Sequence, residues 1–415
     1  MGKRRKKKIY SGPNLTEKYN FQEDQVLKVC ISEYSDNGIG IGYFEEIPIF
    51  VFKSILGEEI EVLVEKIYPE KIIAKIKKIS KVSKYRIESK CNFFGNCTGC
   101  QWLHINYDEQ LNMKKRIVQK NLIKNKVFCE KIIEETIPSK KKFNYRNHGR
   151  FSIRKNNETE ELGFINFLNR KWSPIDSCKI MNKNINEKMK LLSGKLSNKT
   201  QVSIRASDKT GSYLIQPKFD NVEFETGQKY YTESIFDNFF QVASPSFFQV
   251  NISQVEQIFS KLQNLKIFNE NQVVVDAYCG VGTFTCLIAP YVKKIIGIEE
   301  SYSAVVDAKE NSKNFENINY LLGKTENVLQ ETLEKIDVIV LDPPRIGCDD
   351  NVIKIIEETK PKKIILISCS PENFAKDISK LIEKGIYNLS KVIPFDMFPQ
   401  THHVEILGVL DCNYE

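Results

Sequence analysis

Residues 273–284, VVVDAYCGVGTF, decide the fold of the carboxyl-terminal half of this chain. The valines at its start form a β-branched apolar run, which is typical of a strand buried in a parallel sheet. Asp276 ends that run, and Gly280 and Gly282 then permit a tight turn because glycine has no Cβ. The apolar residues from Phe284 onward predict a helix. Strand, glycine turn and helix in this order indicate a nucleotide-type cofactor site at the carboxyl end of a sheet.

A second strand, predicted at residues 294–298, ends at Glu299, which lies 23 positions after Asp276. A carboxylate about 20 residues beyond the first strand is placed to accept hydrogen bonds from ribose hydroxyls. The glycines do not follow the GxGxxG spacing, and no helix start suited to a pyrophosphate is evident. This favours S-adenosylmethionine, which has no phosphates, over a dinucleotide.

The composition indicates a polar protein that approaches a polyanion. The 415 residues suggest two or three domains, and the net charge of +8 favours a nucleic acid as partner. The basic run at residues 3–8, KRRKKK, is either a solvated tail or a phosphate-binding arm. We expect no transmembrane helix and no secretory signal, since the apolar runs are short. Eleven cysteines then indicate a reducing, cytoplasmic location, and no obligate protein partner is evident.

The order of predicted elements indicates an α/β protein with additional domains. Residues 1–17 are predicted to be a disordered tail, and residues 18–82 contain short alternating strands that predict a small β-barrel of the OB type. Residues 83–235 are predicted to form an α+β domain with a helix at 107–126. Residues 236–415 alternate strands and helices, which predicts a doubly wound parallel sheet. Its strands are expected at 273–276, 294–298, 317–321, 337–341, 363–368, 387–392 and 404–409.

A cysteine cluster in the central region predicts a metal centre. Cys91, Cys97 and Cys100 stand as C-x5-C-x2-C, a spacing at which thiolates converge on one centre. A fourth ligand is needed, and Cys178, in the polar segment IDSCKIMN, is the best candidate. The residues themselves leave both zinc and a [4Fe–4S] cluster open.

Chemically useful side chains are predicted at the carboxyl ends of later strands, where open α/β sheets hold their sites. Asp342 ends a strand in IDVIVLDPPR, and Cys369 follows a strand in KKIILISCSPENF. Cys369 precedes a predicted helix, whose N-terminus is expected to lower the pKa of its thiol. Glu405 begins the last strand, after the loop FDMFPQTHH.

A nucleophilic thiol, a carboxylate base and a methyl-donor site suit methylation at C5 of a pyrimidine. That carbon is a poor nucleophile until a thiolate adds at C6 and makes it enolate-like. A base must then remove the C5 proton so that elimination frees the thiol. The sequence therefore predicts a nucleophilic cysteine and a carboxylate near one cofactor site.

The motifs DAYCGVGTF, DPPR, SCSPENFAKD and DMFPQTHHVE, in this order, resemble those of the RNA uracil-5-methyltransferases. The resemblance extends from about residue 20 and is to the iron–sulfur members with an N-terminal TRAM barrel, which modify 23S rRNA. It implies a Rossmann-like S-adenosylmethionine-dependent methyltransferase domain, an N-terminal barrel of the TRAM type and a central iron–sulfur domain. The predicted barrel argues against the tRNA-acting members, which are expected to match only the catalytic half and to lack the cysteine cluster.

The same resemblance implies roles for individual residues. Cys369 is expected to be the nucleophile and Glu405 the base, and Phe247 is expected near the target base. The expected cofactor contacts are Gln249, Tyr278, Thr283, Glu299 and Asp342. The expected ligands of a [4Fe–4S] cluster are Cys91, Cys97, Cys100 and Cys178. One departure is Lys324, in LLGKTEN, where relatives carry an acidic or Asn side chain, so that Glu326 is the alternative polar group there.

Three alternatives accompany the prediction of a 23S rRNA uracil-5-methyltransferase. One is methylation of tRNA in place of rRNA. Another is a relative that binds RNA without catalysis, although intact Cys369 and Glu405 weigh against it. The last is a radical S-adenosylmethionine enzyme, which is disfavoured because those enzymes usually space three cysteines as C-x3-C-x2-C.

Overall fold

The computed structural model describes residues 11–127, 131–156, 159–196, 199–332 and 335–414. The basic run at residues 3–8, predicted as a tail or an arm, lies outside these ranges. The chain divides into two units. The first unit comprises Met1–Gln110, Ile165–Ser173 and Gln400–His402, and the second comprises Leu111–Phe164, Pro174–Pro399 and His403–Glu415. Across the described ranges, no helix combines the length and hydropathy needed to cross a membrane.

The first unit contains a closed barrel, as the alternating strands predicted. Its strands are β1 (Val26–Tyr34), β2 (Gly40–Phe44), β3 (Ile47–Val51), β4 (Glu59–Tyr68) and β5 (Lys71–Lys81), arranged in the order β1-β2-β3-β5-β4. In β1 every second residue is buried, so that Leu27, Val29 and Ile31 fill the interior. This alternation is the period of two expected of a strand with one face in a core.

The helix expected at 107–126 is present as α1 (Tyr107–Lys124). The central strands that follow are β6 (His148–Asn156), β7 (Thr159–Ile165), β8 (Trp172–Pro174), β9 (Gln201–Ala206) and β10 (Tyr213–Gln216). Among them β10, β9, β6 and β7 lie side by side in that order. The helix α2 (Lys183–Leu192) buries Ile185, Met189 and Leu192. The strands β11 (Tyr230–Ile235) and β12 (Asn238–Ala243) form an antiparallel hairpin.

The carboxyl-terminal sheet has the strand order β15-β14-β13-β16-β17-β19-β18. Its strands are β13 (Val273–Ala277), β14 (Lys294–Glu299), β15 (Ile318–Leu322), β16 (Val338–Leu341), β17 (Lys363–Ser368), β18 (Tyr387–Phe395) and β19 (Glu405–Cys412). The helices of this part are α3 (Ile252–Asn264), α4 (Thr283–Ile288), α5 (Tyr302–Asn311), α6 (Thr325–Val328), α7 (Asp350–Thr359) and α8 (Pro371–Glu383). All of the strands predicted from the sequence are confirmed to within a few residues.

Both faces of this sheet are buried, which explains why its strands read as continuous apolar runs. Neighbouring residues of one strand enter different cores. Val275 packs in a core that contains residues of α7 and α8. Val274 packs in a second core with residues of α3 and α4. Helices therefore cover the sheet on both sides, as a doubly wound fold requires.

The expectation of an entirely parallel sheet is wrong for the last strand. β19 runs antiparallel to both β17 and β18. The connection between β18 and β19 spans only residues 396–404, and a parallel crossover needs a dozen or more residues. The reversal brings the start of β19 to the same sheet edge as the carboxyl ends of β13, β16 and β17.

Candidate active site

The turn after β13 adopts conformations that favour glycine. Gly280 has φ +57° and Gly282 has φ +79°, and Gly282 caps the start of α4. A Cβ at Gly282 would lie 2.6 Å from the Tyr320 hydroxyl, so only glycine fits there. A Cβ at Gly280 would meet no atom within 4 Å, because this residue faces open space. The turn thus leaves room for a ligand against its backbone.

Glu299 is held against this turn. One of its carboxylate oxygens accepts a hydrogen bond from the Gly280 backbone N–H at 3.0 Å, and the other accepts from Ser301 N–H at 2.8 Å. These bonds fix the carboxylate at the end of β14, beside the glycine turn. The position is the one predicted for a contact with ribose hydroxyls, although that role stays a prediction.

A cavity opens at the same edge of the sheet. Gln249 and Asp342 both line it, and the Gln249 amide donates to the Asp342 carboxyl at 3.3 Å. The structure thus brings together most of the predicted cofactor contacts. The lining residues are Phe247, Phe248, Gln249, Asp276, Tyr278, Cys279, Gly280, Val281, Thr283, Phe284 and Asp342.

Two carboxyl groups in this cavity make it suited to a cation. Burial, opposed by hydrogen bonds from Thr285, raises the pKa of Asp276 to about 7. Burial together with the nearby charge of Asp276 raises the pKa of Asp342 to about 7. A positively charged ligand would favour the ionised form of both groups, because it offsets the cost of burying their charge.

The register of the sheet brings the predicted nucleophile and base together. Ser368 pairs with Ile406 across β17 and β19. Continuing this antiparallel register by one residue places Cys369 opposite Glu405. Cys369 is half-buried and Glu405 is 3% exposed.

The pKa of Cys369 differs from the expectation made from the sequence. Burial, followed by the negative charge of Glu405, raises it to about 11, and the Arg345 guanidinium opposes this rise. The predicted lowering by the start of α8 is therefore wrong. Ser370 caps that helix, accepting a hydrogen bond from the Asn373 N–H, while the Cys369 thiol lies among buried groups that disfavour the thiolate.

Burial also raises the pKa of Glu405 well above its usual range, and the charge of Asp342 adds to the effect. Arg345 acts in the opposite direction and favours the carboxylate. Among the residues that the structure describes, Arg345 is the cation that acts on both Cys369 and Glu405. Its position, directly after the strand end that carries Asp342, is the signal that could have identified it.

His403 is a second residue of this region to which the sequence assigned no role. Burial lowers its pKa to about 4, and the charges of Arg345, Lys114 and Arg146 add to this effect. His403 is therefore neutral at physiological pH and lies within the field of three cations.

A buried ion pair supports the segment that follows β18. Lys114, on α1, and Asp396 are both fully buried and form an ion pair. The Lys114 ammonium also donates to the Phe398 carbonyl at 3.0 Å. Removing one partner of such a pair leaves an uncompensated buried charge, which is strongly destabilising. Lys114 and Asp396 lie far apart in the sequence, so no sequence motif could predict that they form an ion pair.

Cys369 provides a pH-dependent test of this geometry. We expect iodoacetamide to alkylate Cys369 in the ligand-free protein about tenfold faster for each pH unit between 7 and 10, because only the thiolate reacts. The rate is expected to level off only near the thiol pKa of about 11. Mass spectrometry that resolves each cysteine measures it. In Glu405→Gln the dependence of the alkylation rate on pH should shift to lower pH. A wild-type rate that no longer increases above neutral pH would contradict the placement of Cys369 among buried groups beside Glu405.

Lys324, the departure from the expected pattern, directly precedes α6 and is mostly exposed. It lies 3.8 Å from Glu326. Burial raises the pKa of Tyr278, a cavity residue, and the charge of Glu326 is among the smaller effects that add to the rise. Glu326 is thus within electrostatic reach of the cavity and remains the predicted polar group on that side.

The cysteines predicted to bind metal lie in both units. Cys91, Cys97 and Cys100 belong to the first unit, where the Cys97 N–H donates to the Phe93 carbonyl at 2.7 Å. Cys178 belongs to the second unit, where its N–H donates to the Asn186 side chain at 2.7 Å. In the part of the chain that the structure describes, no group of three or more His, Cys, Asp or Glu side chains is arranged to hold a metal ion.

Comparison with known proteins identifies the family. The family model described as tRNA (Uracil-5-)-methyltransferase matches residues 234–412. An "uncharacterized RNA methyltransferase" of Caldanaerobacter subterraneus subsp. tengcongensis is 30% identical over 93% of this chain and 99% of its own length. A protein of the same description from Bacillus anthracis is 30% identical over 92% of this chain and 95% of its own. The chain belongs to the RNA uracil-5-methyltransferase family.

A solved structure of this family shares the fold. The tRNA (uracil-54, C5)-methyltransferase of Pyrococcus abyssi, in complex with S-adenosyl-L-homocysteine, superposes with a TM-score of 0.71 at 23% identity. The match covers 92% of this chain and all of that protein. The expectation that tRNA-acting members match only the catalytic half is therefore wrong. Because a tRNA-modifying member spans nearly the whole chain, the extent of the match does not distinguish tRNA from rRNA.

Proposed function

We propose that this RNA uracil-5-methyltransferase transfers a methyl group from S-adenosylmethionine to C5 of a uridine in 23S rRNA. The observation that supports it best is the pairing of Ser368 with Ile406 across β17 and β19, because the next residue of each strand end is Cys369 and Glu405, at the edge that also carries the glycine turn. The charge of Glu405 acts on the Cys369 thiol. The barrel in residues 18–82 and the central region 83–235 would hold the RNA, while residues 236–415 carry out the chemistry. Methylation of tRNA is the second candidate, supported by the likeness to the Pyrococcus abyssi enzyme.

The acidic cavity fits the proposed cofactor. S-adenosylmethionine supplies the methyl group on a sulfonium and also carries an ammonium group. Asp276 and Asp342 offer the negative charge that such a ligand needs, and the open space at Gly280 admits it close to the backbone. Glu299, held at the end of β14, would accept hydrogen bonds from the ribose. Gln249, Tyr278 and Thr283 complete the proposed contacts.

The proposed reaction uses Cys369 first and Glu405 second. The Arg345 guanidinium favours the thiolate of Cys369, which bonds to C6 of the uracil while the electron pair of the C5–C6 double bond shifts to C5 and O4. C5 then forms a bond to the methyl carbon while the bond between that carbon and the sulfonium sulfur breaks, and the electron pair of the broken bond stays on sulfur. Glu405 removes the C5 proton, and the electrons of that C–H bond restore the double bond and expel the thiolate. The uridine must leave its stack to reach Cys369, and Phe247, which is 67% exposed beside the cavity, would contact it.

The test of the proposed function is methylation of defined RNA in vitro. Unmodified 23S rRNA and tRNA transcripts are incubated separately with S-adenosylmethionine labelled in its methyl group, and labelled nucleosides are identified by mass spectrometry. We expect 5-methyluridine in the 23S rRNA. Label in tRNA alone would favour the second candidate, and no label at uracil C5 in either RNA would refute the proposal.

Binding of S-adenosylmethionine is expected to release protons. The pKa of Asp342 is about 7 without ligand, and a cationic ligand lowers it. The affinity should therefore increase with pH, by about tenfold between pH 6 and pH 8 for one such group. Isothermal titration calorimetry in buffers of different ionisation enthalpy measures both affinity and proton release. Asp342→Asn should bind more weakly and lose the part of the pH dependence that Asp342 contributes, while Asp276 keeps the remainder, and the control Asp411→Asn should behave as wild type. An unchanged pH dependence in Asp342→Asn would contradict this role.

The [4Fe–4S] cluster that the family resemblance implies at Cys91, Cys97, Cys100 and Cys178 stays a prediction. If it is present, protein purified without oxygen should be brown and absorb near ~400 nm, because thiolate ligation of iron gives charge-transfer bands. Iron and zinc determination by mass spectrometry distinguishes the metals. Cys91→Ser should lose the absorbance, with Cys30→Ser as the control that retains it. Colourless protein with one zinc per chain would refute the cluster, and the reaction steps above do not depend on it.

A further inference from the structure

Along the strand β6, buried apolar residues alternate with residues of a polar face that includes exposed arginines. Gly149, Phe151 and Ile153 are buried, whereas Arg150 and Arg154 are exposed. Successive side chains of a strand point to opposite faces. Arg150 and Arg154 therefore share one face, which also carries His148 and Ser152.

Neighbouring strands continue this polar face. Ser203 of β9 pairs with Arg150, and Gln201 pairs with Ser152. On the other side, Glu161 of β7 pairs with Arg154 and offsets part of its charge. The opposite face is apolar, because Phe151 pairs with Val202, and both are buried. A sheet that packs one face in a core leaves the other for solvent or for a partner.

The arginines of this region lie close together around one histidine. Burial lowers the pKa of His148 to about 3, and the positive charges of Arg205, Arg146 and Arg150 add to the effect. His148 is therefore neutral at physiological pH, and its Nε2 lies 2.9 Å from the Ser203 hydroxyl. The charge of this face thus comes from its arginines and does not change near neutral pH.

A hydrogen bond and electrostatic interactions lead from the cationic face toward the residues near Cys369. Arg146 donates through Nε to the His148 carbonyl at 2.9 Å and acts electrostatically on His403. His403 is also within the field of Arg345, the cation beside Cys369.

The backbone makes a second connection between the start of β6 and the cofactor cavity. The Asn147 N–H donates to the Val250 carbonyl, and its side chain donates to the Gln249 carbonyl, both at 3.1 Å. Gln249 lines the cavity. The arginine-bearing strand is therefore tied directly to the segment beside the site of methyl transfer.

We propose that the face of β6 formed by Arg150 and Arg154, with Arg146 at its catalytic end, binds the phosphate backbone of the RNA strand flanking the target uridine. This inference rests on the proposed function only in taking RNA as the ligand. Arg150 and Arg154 are four residues apart and hence about 13 Å along the strand, so they contact different phosphates. Guanidinium groups bind phosphate oxygens in a bidentate manner, and contacts of this kind fix the register of a nucleic acid without reading its sequence.

The test compares Arg150→Gln/Arg154→Gln with wild type in two assays. Binding of a fluorescein-labelled single-stranded oligouridine is measured by anisotropy over a range of salt concentrations. The slope of log affinity against log salt should fall by about 1.4 for the loss of two phosphate contacts. In methylation assays KM for RNA should increase roughly tenfold while kcat stays the same. Of the single variants, Arg150→Gln should have the larger effect, because Glu161 offsets Arg154.

The control Lys354→Gln/Lys384→Gln removes the same charge from exposed positions in and just after the helices α7 and α8. It should leave the salt slope and KM nearly unchanged. An unchanged slope in the arginine variant, or an equal change in the control, would overturn the inference. These outcomes are independent of the proposed function, because oligouridine binding is measured without turnover. Failure of the wild type to methylate RNA would refute the proposed function and leave the binding result to decide this inference.

Discussion

Cys369→Ala is expected to abolish methyl transfer, with a loss of roughly 10⁴-fold or more, because no other group can add to C6 of the uracil in its place. The substitution removes one sulfur atom from a half-buried position. The cap of α8 is Ser370, so the helix start is retained, and we expect a stability change within about 1 kcal/mol. Binding of S-adenosylmethionine should persist, since its proposed contacts lie elsewhere in the cavity.

Covalent trapping separates loss of the nucleophile from loss of binding. RNA containing 5-fluorouridine should form a stable adduct with wild-type protein, because the fluorine at C5 cannot be removed as a proton. Cys369→Ala should form none, as judged by denaturing gel electrophoresis and mass spectrometry. Cys412→Ala is the matched control and should form the adduct normally. An adduct that persists in Cys369→Ala would show that another residue is the nucleophile.

Glu405→Gln is expected to slow turnover by about 10²–10⁴-fold and to accumulate a covalent complex with unmodified RNA. The amide has the shape of the carboxyl group but cannot accept the C5 proton, so the reaction stops after methyl transfer. Glu405 is almost fully buried, and its pKa is raised. Replacing it by a neutral group of equal size should therefore leave the protein folded, and thermal unfolding can verify this.

The second variant in this experiment is Asp411→Asn, at the opposite end of β19. It removes a carboxylate from the same strand but far from the proposed site, and it should turn over like wild type. Glu405→Gln should yield RNA–protein complex that survives denaturation, with the methyl group already on C5. Normal turnover by Glu405→Gln would place the base elsewhere, and loss of activity without any complex would indicate that Glu405 acts before methyl transfer.

The sequence alone determined the strands and the turn that carry the site. β-Branched runs such as residues 273–275 have one stable environment, a strand buried on both faces, and Gly282 tolerates no side chain at its conformation. These constraints are local, so they could be recognised without tertiary information. The alternation of apolar and polar residues that predicted the barrel is also a local pattern. The positions of Cys369 and Glu405 at strand ends could likewise be recognised from the sequence alone.

Only the tertiary structure determined which side chains surround these residues and how those side chains shift their pKa values. The direction of β19 follows from the short connection that precedes it, and it is this reversal that places Glu405 beside Cys369. The raised pKa of Cys369 depends on burial and on a carboxylate 36 positions away. Arg345, the Lys114–Asp396 pair and the effect of Arg205 on His148 likewise act across long separations in the chain. Electrostatic effects depend on distance and burial in space, and a linear sequence specifies neither until the chain has folded.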